Sequence, residues 1–506
     1  MWQRFTLYDL RVIGHYLGML VLLFSLAMLA PLLTAIVCGE WEPAARYLWS
    51  IGITVIIGSA LCFLRVKPGR LTQQQALVVT GLSWLLLSLI AAIPMYFSGH
   101  YDTFLDTVFD CMSALTTTGV SVIEDLDHLS NADNMWRFVM QFVGGIGLIV
   151  VALSLGLFGK SSGATMYASE GRSEHLVPNL MQTSRLIIKI MVSIICVGTV
   201  AIMLICLSLG MAPGRAFLHG LWLSIACIVT GGFAPMSQSA AYYHSFALEV
   251  VLMIIMLLGC INFVVHSEVM KGRVESFFRD YETKTMVVWA CVMAFVVTAS
   301  LAASGGFSDL ASILRRGLFM VVSAFTTTGL SNVTSNQLTT LFSSGALLVL
   351  AVLMGVGGGS GSTSGGIKIG RLGLIAQSLV ASTKQTLAPD SVRVSTSYYH
   401  VGRRILTDDV ARDAMTVFAL YIVTYGVGAV AGIAYGYDAT QAIFESVALG
   451  SSGGLSAGII STGMPIGLEL LYMLIMWAGR LEIMTLLALI AGFVTSLNPK
   501  RWTKKA

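Results

Sequence analysis

The chain has 506 residues, of which 56% are hydrophobic and only 11% charged, where a soluble protein carries roughly 25% charged residues. A soluble fold is excluded on that ground, and an integral membrane protein is indicated. The net charge of +4, from 30 Lys+Arg against 26 Asp+Glu, argues against a nucleic-acid partner.

Glycine is abundant, 51 residues against 10 prolines, which points to close helix packing or to backbone that leaves the helical region. The eight cysteines stand singly with no CxxC spacing, as small buried hydrophobes do. The first apolar run, about residues 17–38, is long enough to span and has no A-x-A-like site, so it reads as a membrane helix and not as a cleavable signal.

A span needs roughly 20 apolar residues. Ten stretches qualify, near 14–38, 48–65, 76–97, 138–159, 183–210, 245–266, 285–303, 343–378, 413–435 and 466–494. Four shorter apolar segments, near 103–116, 215–229, 309–326 and 438–450, are too short to cross and are predicted as re-entrant half-helices. The predicted fold class is an all-α polytopic membrane protein. A leading helix pair (1–70) precedes four pseudo-repeats of helix, half-helix, loop and helix, at 71–165, 166–275, 276–395 and 396–506. Of the 30 basic residues, 24 fall on one side of the spans. The positive-inside rule therefore puts both termini in the cytoplasm, and every half-helix enters from outside.

The loops after the half-helices carry the functional signal. Ser113-Ala114-Leu115-Thr116-Thr117-Thr118-Gly119-Val120-Ser121 and Ser323-Ala324-Phe325-Thr326-Thr327-Thr328-Gly329-Leu330-Ser331 lie 210 residues apart and match at seven of nine positions. Degenerate copies are Ile228-Val229-Thr230-Gly231-Gly232-Phe233 and Leu449-Gly450-Ser451-Ser452-Gly453-Gly454-Leu455-Ser456. One such loop carries little weight, but four at the same place in four units must be explained together. A cation stripped of water needs oxygen ligands, and rings of backbone carbonyls supply them. Non-helical backbone at membrane depth belongs where it lines such a cavity or is buried in protein. Half-helix C-termini aimed at the centre add negative potential.

With these loops the sequence resembles the Trk/Ktr/HKT superfamily of potassium transporters, most closely its TrkH-like bacterial subunits, over essentially the whole chain. Further matching stretches are Phe142-Val143-Gly144-Gly145-Ile146-Gly147, Gly259-Cys260-Ile261-Asn262 and Ala478-Gly479-Arg480-Leu481-Glu482. The third repeat adds Gly357-Gly358-Gly359-Ser360-Gly361-Ser362-Thr363-Ser364-Gly365-Gly366-Ile367-Lys368. The resemblance implies that Gly119, Gly232, Gly329 and Gly453 are filter glycines and that carbonyls of the residues before each bind K⁺. In the second repeat Gly231 competes with Gly232 for the role. In the fourth, Gly450-Ser451-Ser452-Gly453 stands where the first and third repeats have Thr-Thr-Thr-Gly.

The resemblance also makes the Gly/Ser run 355–366 an intramembrane gate below the filter. A GxxxG-like packing face is the alternative, and a phosphate-binding loop lacks its Gly-Lys-Ser/Thr order. Arg480, inside an apolar span, becomes a barrier to cations in the pore. Its alternative is a structural pair with Glu482. Asp106, Asp110 and Glu445 on half-helices either add negative potential at the outer mouth or bond nearby backbone.

The implied function is potassium uptake across a bacterial cytoplasmic (inner) membrane, with K⁺ as cargo and no organic cofactor in this chain. The implied assembly is a homodimer in membrane lipid, regulated by a cytoplasmic nucleotide-binding TrkA-like ring. The rival is a secondary transporter, a K⁺/H⁺ or K⁺/Na⁺ symporter, which would need an ionisable midplane pocket where this chain places hydroxyls and carbonyls. An enzyme is not indicated. There is no HExxH, and the formal GxSxG at 450–454 lacks its strand-to-helix turn.

Overall fold

A computed structural model describes residues 6–63, 71–147, 150, 180–304, 309–389, 396–399, 403–481, 483, 486, 487, 489 and 490. The chain is mostly helical, as expected. Among the described residues, six helices are long and apolar enough to cross a membrane: Leu7–Cys38, Trp41–Cys62, Gln73–Tyr96, Gln182–Ser208, Tyr281–Ala302 and Asp408–Ala434. They keep large apolar side chains outward, among them Val197, Phe295 and Val430 at 71%, 76% and 66% exposure, as lipid-facing helices do. Short helices Phe104–Leu115, Pro213–Ile228, Leu310–Phe325 and Ala439–Gly450 occupy the four segments too short to cross. The spans expected near 138–159 and 466–494 begin as helices Asn131–Ile146 and Ile466–Arg480 and then run largely outside the described residues.

Two expected spans are interrupted. The stretch 245–266 is two helices, Phe246–Cys260 and Phe263–Met270, bent by 102°. Ile261 is extended there, and the Asn262 side chain caps the second helix by accepting from the Val264 N–H. The carbonyls freed at the bend are not orphaned: Gly259 O accepts from Thr363 N–H and Cys260 O from Gly359 N–H. The stretch 343–378 is broken as its glycines predict, into helices Ser344–Gly355 and Ile369–Leu387. Between them, Val356–Gly357 pairs in parallel with Ile367–Lys368.

The chain divides into two compact units, residues 1–115, 128–188 and 481–506 in one and 116–127 with 189–480 in the other. In the first, the leading span breaks at Met28 into Leu7–Ala27 and Leu29–Cys38, because Pro31 has no N–H to give to the Ala27 carbonyl. Gly18 lets helix Leu7–Ala27 cross helix Trp41–Cys62 closely, since a Cβ there would lie 2.7 Å from Gly58 O. The unit is pinned by a buried polar cluster. Arg46 Nη2 donates to Asp133 Oδ2 at 2.8 Å and Arg46 Nη1 to Pro94 O at 3.2 Å, while Tyr47 O–H donates to Asp133 Oδ1 at 2.8 Å. The Arg46 and Asp133 side chains are 3% and 2% exposed. Removing one partner of such a pair strands a buried charge, so Arg46→Ala is expected to cost about 3–5 kcal/mol of stability. Thermal unfolding of the detergent-solubilised variant checks this.

In the second unit, Arg315 on the third short helix holds Glu249 in a two-pronged pair, Nε to Oε2 at 2.9 Å and Nη2 to Oε1 at 2.8 Å. This joins the third short helix to helix Phe246–Cys260.

Candidate functional site: a ring of backbone loops

The last three short helices end in one backbone motif. Thr327 N–H bonds Ala324 O at 3.0 Å and Thr328 N–H bonds Ser323 O at 2.9 Å. Thr230 and Gly231 repeat the pattern on Cys227 and Ala226, and Ser452 and Gly453 on Leu449 and Ala448. This is the Schellman ending, whose left-handed residue is usually glycine. Here it is Thr230 (φ 49°), Thr327 (φ 53°) and Ser452 (φ 55°), and Thr117 (φ 55°) holds the same conformation in the first loop. A non-glycine residue in that region stores strain of order 1–3 kcal/mol, and such strain concentrates at functional sites.

Two residues beyond each strained position comes a glycine with positive φ: Gly119 (87°), Gly232 (78°), Gly329 (89°) and Gly454 (69°). This corrects the expected register of the fourth loop. Gly453 occupies the place of Thr118, Gly231 and Thr328, and Gly454 occupies the place of Gly119. The fourth segment is therefore Ser451-Ser452-Gly453-Gly454, and Gly450 belongs to the helix. In the second loop the same register selects Gly232 over Gly231.

All four loops lie in the second unit, and their glycines place each against the next. A Cβ on Gly119 would lie 2.3 Å from Gly231 O, and one on Gly232 2.0 Å from Thr328 O. A Cβ on Gly329 would lie 2.6 Å from Gly454 Cα, and one on Gly454 2.3 Å from Thr118 O. The contacts run first to second, second to third, third to fourth and fourth back to first. Bare backbone thus meets bare backbone around a closed ring.

Hydroxyls brace the threonine-rich loops. Thr116 and Thr118 share a bond of 2.8 Å between their Oγ1 atoms, and Thr326 and Thr328 one of 2.7 Å. Thr117 and Thr230 each donate to the preceding carbonyl, on Thr116 and Val229, at 2.7 and 2.8 Å. Of the filter residues named from the sequence, all are buried except Gly119, which is half-buried. Such a ring offers carbonyl oxygens to a dehydrated cation, with short-helix C-termini adding partial negative charge.

The stretches Phe142–Gly147, Gly259–Asn262 and Ala478–Glu482 have a packing explanation. Gly144, Gly259 and Gly479 each abut the carbonyl that ends a short helix: a Cβ would lie 1.9 Å from Leu115 O, 2.6 Å from Ile228 O and 2.2 Å from Gly450 O.

The Gly-rich segment docks against the loops. Thr327 Oγ1 accepts from Gly365 N–H at 2.8 Å and pairs with Ser364 Oγ at 3.1 Å. Thr363 Oγ1 bonds Ile228 O and Gly259 O, both at 2.9 Å. Gly365 lies so close to the fourth loop that a Cβ would sit 2.0 Å from Ser451 O. Lys368 Nζ donates to Ser364 O. The other end is held by Glu282, whose Oε1 accepts from Ser360 O–H at 2.6 Å and whose carboxylate also takes the Ser360 N–H. Arg480 ends helix Ile466–Arg480, half-buried, with Nη1 3.5 Å from Thr117 Oγ1. Glu482 lies outside the described residues.

The three half-helix acids all bond neighbouring groups. Asp106 accepts from Thr103 N–H and O–H at 3.0 and 2.7 Å, and Asp110 from Tyr101 O–H at 2.9 Å. Asp110 also faces Arg137 at 3.7 Å, and Glu445 binds the loop that follows Gly454. Sequence reasoning missed Gly454 and Glu282. The doublets Gly231-Gly232 and Gly453-Gly454, aligned, point to Gly454; nothing local marks Glu282.

A family model described as TrkH, cation transport protein, matches residues 46–496. The chain is 30% identical over 488 residues to an uncharacterized cation transporter of Methanocaldococcus jannaschii, covering 96% of this chain and 97% of that one. It is 28% identical over 489 residues to the Trk system potassium uptake protein TrkH of Escherichia coli K12, covering 95% and 98%. Its fold is similar to the crystal structure of the potassium transporter TrkH from Vibrio parahaemolyticus, with a TM-score of 0.80 at 24% identity over 97% and 99% of the two chains.

Proposed function

Because the chain belongs to the TrkH family of cation transport proteins, we propose that it takes up K⁺ through a pore framed by the four loops. It is a membrane transport protein, not an enzyme. The observation that carries the reading is the ring of glycine contacts, in which each loop's positive-φ glycine abuts the next loop's backbone and the fourth meets Thr118 O. Side chains are excluded at those contacts, so backbone carbonyls are the oxygens left to bind a bare cation. On this reading the ligands come from Thr116-Thr117-Thr118-Gly119, Val229-Thr230-Gly231-Gly232, Thr326-Thr327-Thr328-Gly329 and Ser451-Ser452-Gly453-Gly454. They divide the chain into four pore units behind a leading helix pair.

The segment Gly357–Gly366 is the gate, and Arg480 beside Thr117 is a positive barrier at the same end. The basic loops and both termini face the cytoplasm, and the membrane is the cytoplasmic one. The working assembly is a homodimer regulated by a cytoplasmic nucleotide-binding TrkA-like ring. K⁺ moves down its electrochemical gradient.

Flux in liposomes under K⁺, Rb⁺ and Na⁺ gradients tests the reading. K⁺ and Rb⁺ are expected to pass well ahead of Na⁺, and equal passage of all three overturns it. K⁺ movement that drives H⁺ or Na⁺ against its own gradient would favour symport. The gate has its own test in Glu282. Freeing Ser360 from a charged acceptor removes bonds that favour the docked segment, so Glu282→Ala is expected to raise open probability roughly tenfold. Single-channel recording with unchanged ion selectivity is the expected result.

A further inference from the structure

Glu445 sits mid-way along the fourth short helix, nine residues before Gly454, and is fully buried. One carboxylate oxygen, Oε1, collects three donors from the stretch that follows Gly454: Ser456 O–H at 2.6 Å, Ala457 N–H at 2.8 Å and Ile459 N–H at 3.2 Å. The other oxygen, Oε2, has no hydrogen-bond partner among the described residues. An ionisable group buried with half its acceptor capacity unused is costly, and general packing does not explain its presence.

The fourth segment, like the second with Gly231 and Ala226 at the matching places, lacks two braces that the third has. In the third, the Thr326–Thr328 hydroxyl pair stiffens the segment, and Ser323 O–H donates to Leu330 O just beyond Gly329. At the matching places the fourth has Gly453 for Thr328 and Ala448 for Ser323. Neither brace can form. The segment is fixed at its lower end by the bonds of Ser452 and Gly453 to the short helix. Glu445 fixes its upper end to the same helix.

We propose that Glu445 is a specificity-determining positioning residue, tethering the fourth filter segment so that its carbonyls hold the spacing that discriminates K⁺ from Na⁺. The inference rests on the filter reading above. The tether acts through an acceptor oxygen and not through charge. Glutamine, which keeps an acceptor at Oε1, therefore substitutes for it, and leucine, similar in size without an acceptor, does not.

The test is the K⁺ to Na⁺ flux ratio of full-length protein in liposomes, with assembly followed by gel filtration. Three bonds to a charged acceptor are lost in Glu445→Leu, and its ratio is expected to fall about tenfold or more. Glu445→Gln is expected to keep the native ratio. Ser456→Ala, which removes one donor at a half-buried position, is expected to lower the ratio roughly two- to threefold and covers the case in which the leucine variant does not assemble. An assembled Glu445→Leu with the native ratio, a Glu445→Gln as unselective as Glu445→Leu, or a Ser456→Ala unchanged from wild type each overturns the proposal. A wild type that does not discriminate overturns the filter reading itself, and is told apart because it fails before any variant is made.

Discussion

Gly232→Ala is expected to abolish selective K⁺ flux in liposomes while leaving the protein assembled. Two independent costs meet at this position. Its φ of 78° lies in the region that L-residues avoid, at roughly 1–2 kcal/mol for alanine. The larger cost is spatial, because the new Cβ would lie 2.0 Å from Thr328 O. Neither atom belongs to a flexible side chain, so relief requires the third loop to move away from the second. On the carbonyl-ring reading, that movement opens the cavity by a large fraction of an ångström or more, enough to lose the fit to a dehydrated ion. Flux of all cations is expected to collapse, or K⁺ and Na⁺ to pass equally. Gly231→Ala, one residue earlier and without the positive φ, is expected to be milder, and comparison of the two tests the register. Full K⁺ selectivity in an assembled Gly232→Ala protein would remove the ring from the account of conduction.

Much of this arrangement was legible because chemistry repeats along the chain. The four short helices were visible as apolar runs too short to span, and the Thr-Thr-Thr-Gly loops at their ends marked the site. The break at 355–366 was visible because so many glycines do not continue a helix. What misled the reading of the fourth loop was composition. Gly450-Ser451-Ser452-Gly453 offers a glycine where a copy of Thr-Thr-Thr-Gly would end, but the true register is set by hydrogen bonds of Ser452 and Gly453 to Leu449 and Ala448. The bend at Ile261 was hidden for a different reason. It depends on donors from Gly359 and Thr363, about a hundred residues away, and no local pattern records them. Glu282 is hidden in the same way: at the start of an apolar helix it reads as an ordinary charged end, and only the folded chain brings it to Ser360.

Arg480→Ala is expected to raise K⁺ flux. Arg480 is near enough to the loops for Nη1 to stand 3.5 Å from Thr117 Oγ1, and on the proposed pore reading a fixed positive charge there opposes a cation leaving the filter. Two unit charges ~8 Å apart at an effective dielectric near 20 repel by about 2 kcal/mol. With partial screening by water in the passage, removal of the charge corresponds to a several-fold to roughly tenfold rise in flux. Arg480→Lys keeps the charge on a shorter, more mobile head and is expected to retain most of the barrier. A different outcome follows if the guanidinium matters chiefly as a support for Thr117. That strained residue would then lose a neighbour, and both Arg480→Ala and Arg480→Lys would lose K⁺ selectivity without gaining flux. A third outcome belongs to a structural pair with Glu482, in which Arg480→Ala loses thermal stability and charge reversal at both positions restores it. Measuring flux, the K⁺ to Na⁺ ratio and the melting temperature on the same preparations separates the three. A stable Arg480→Ala with wild-type flux and selectivity would sink the barrier and both structural alternatives together.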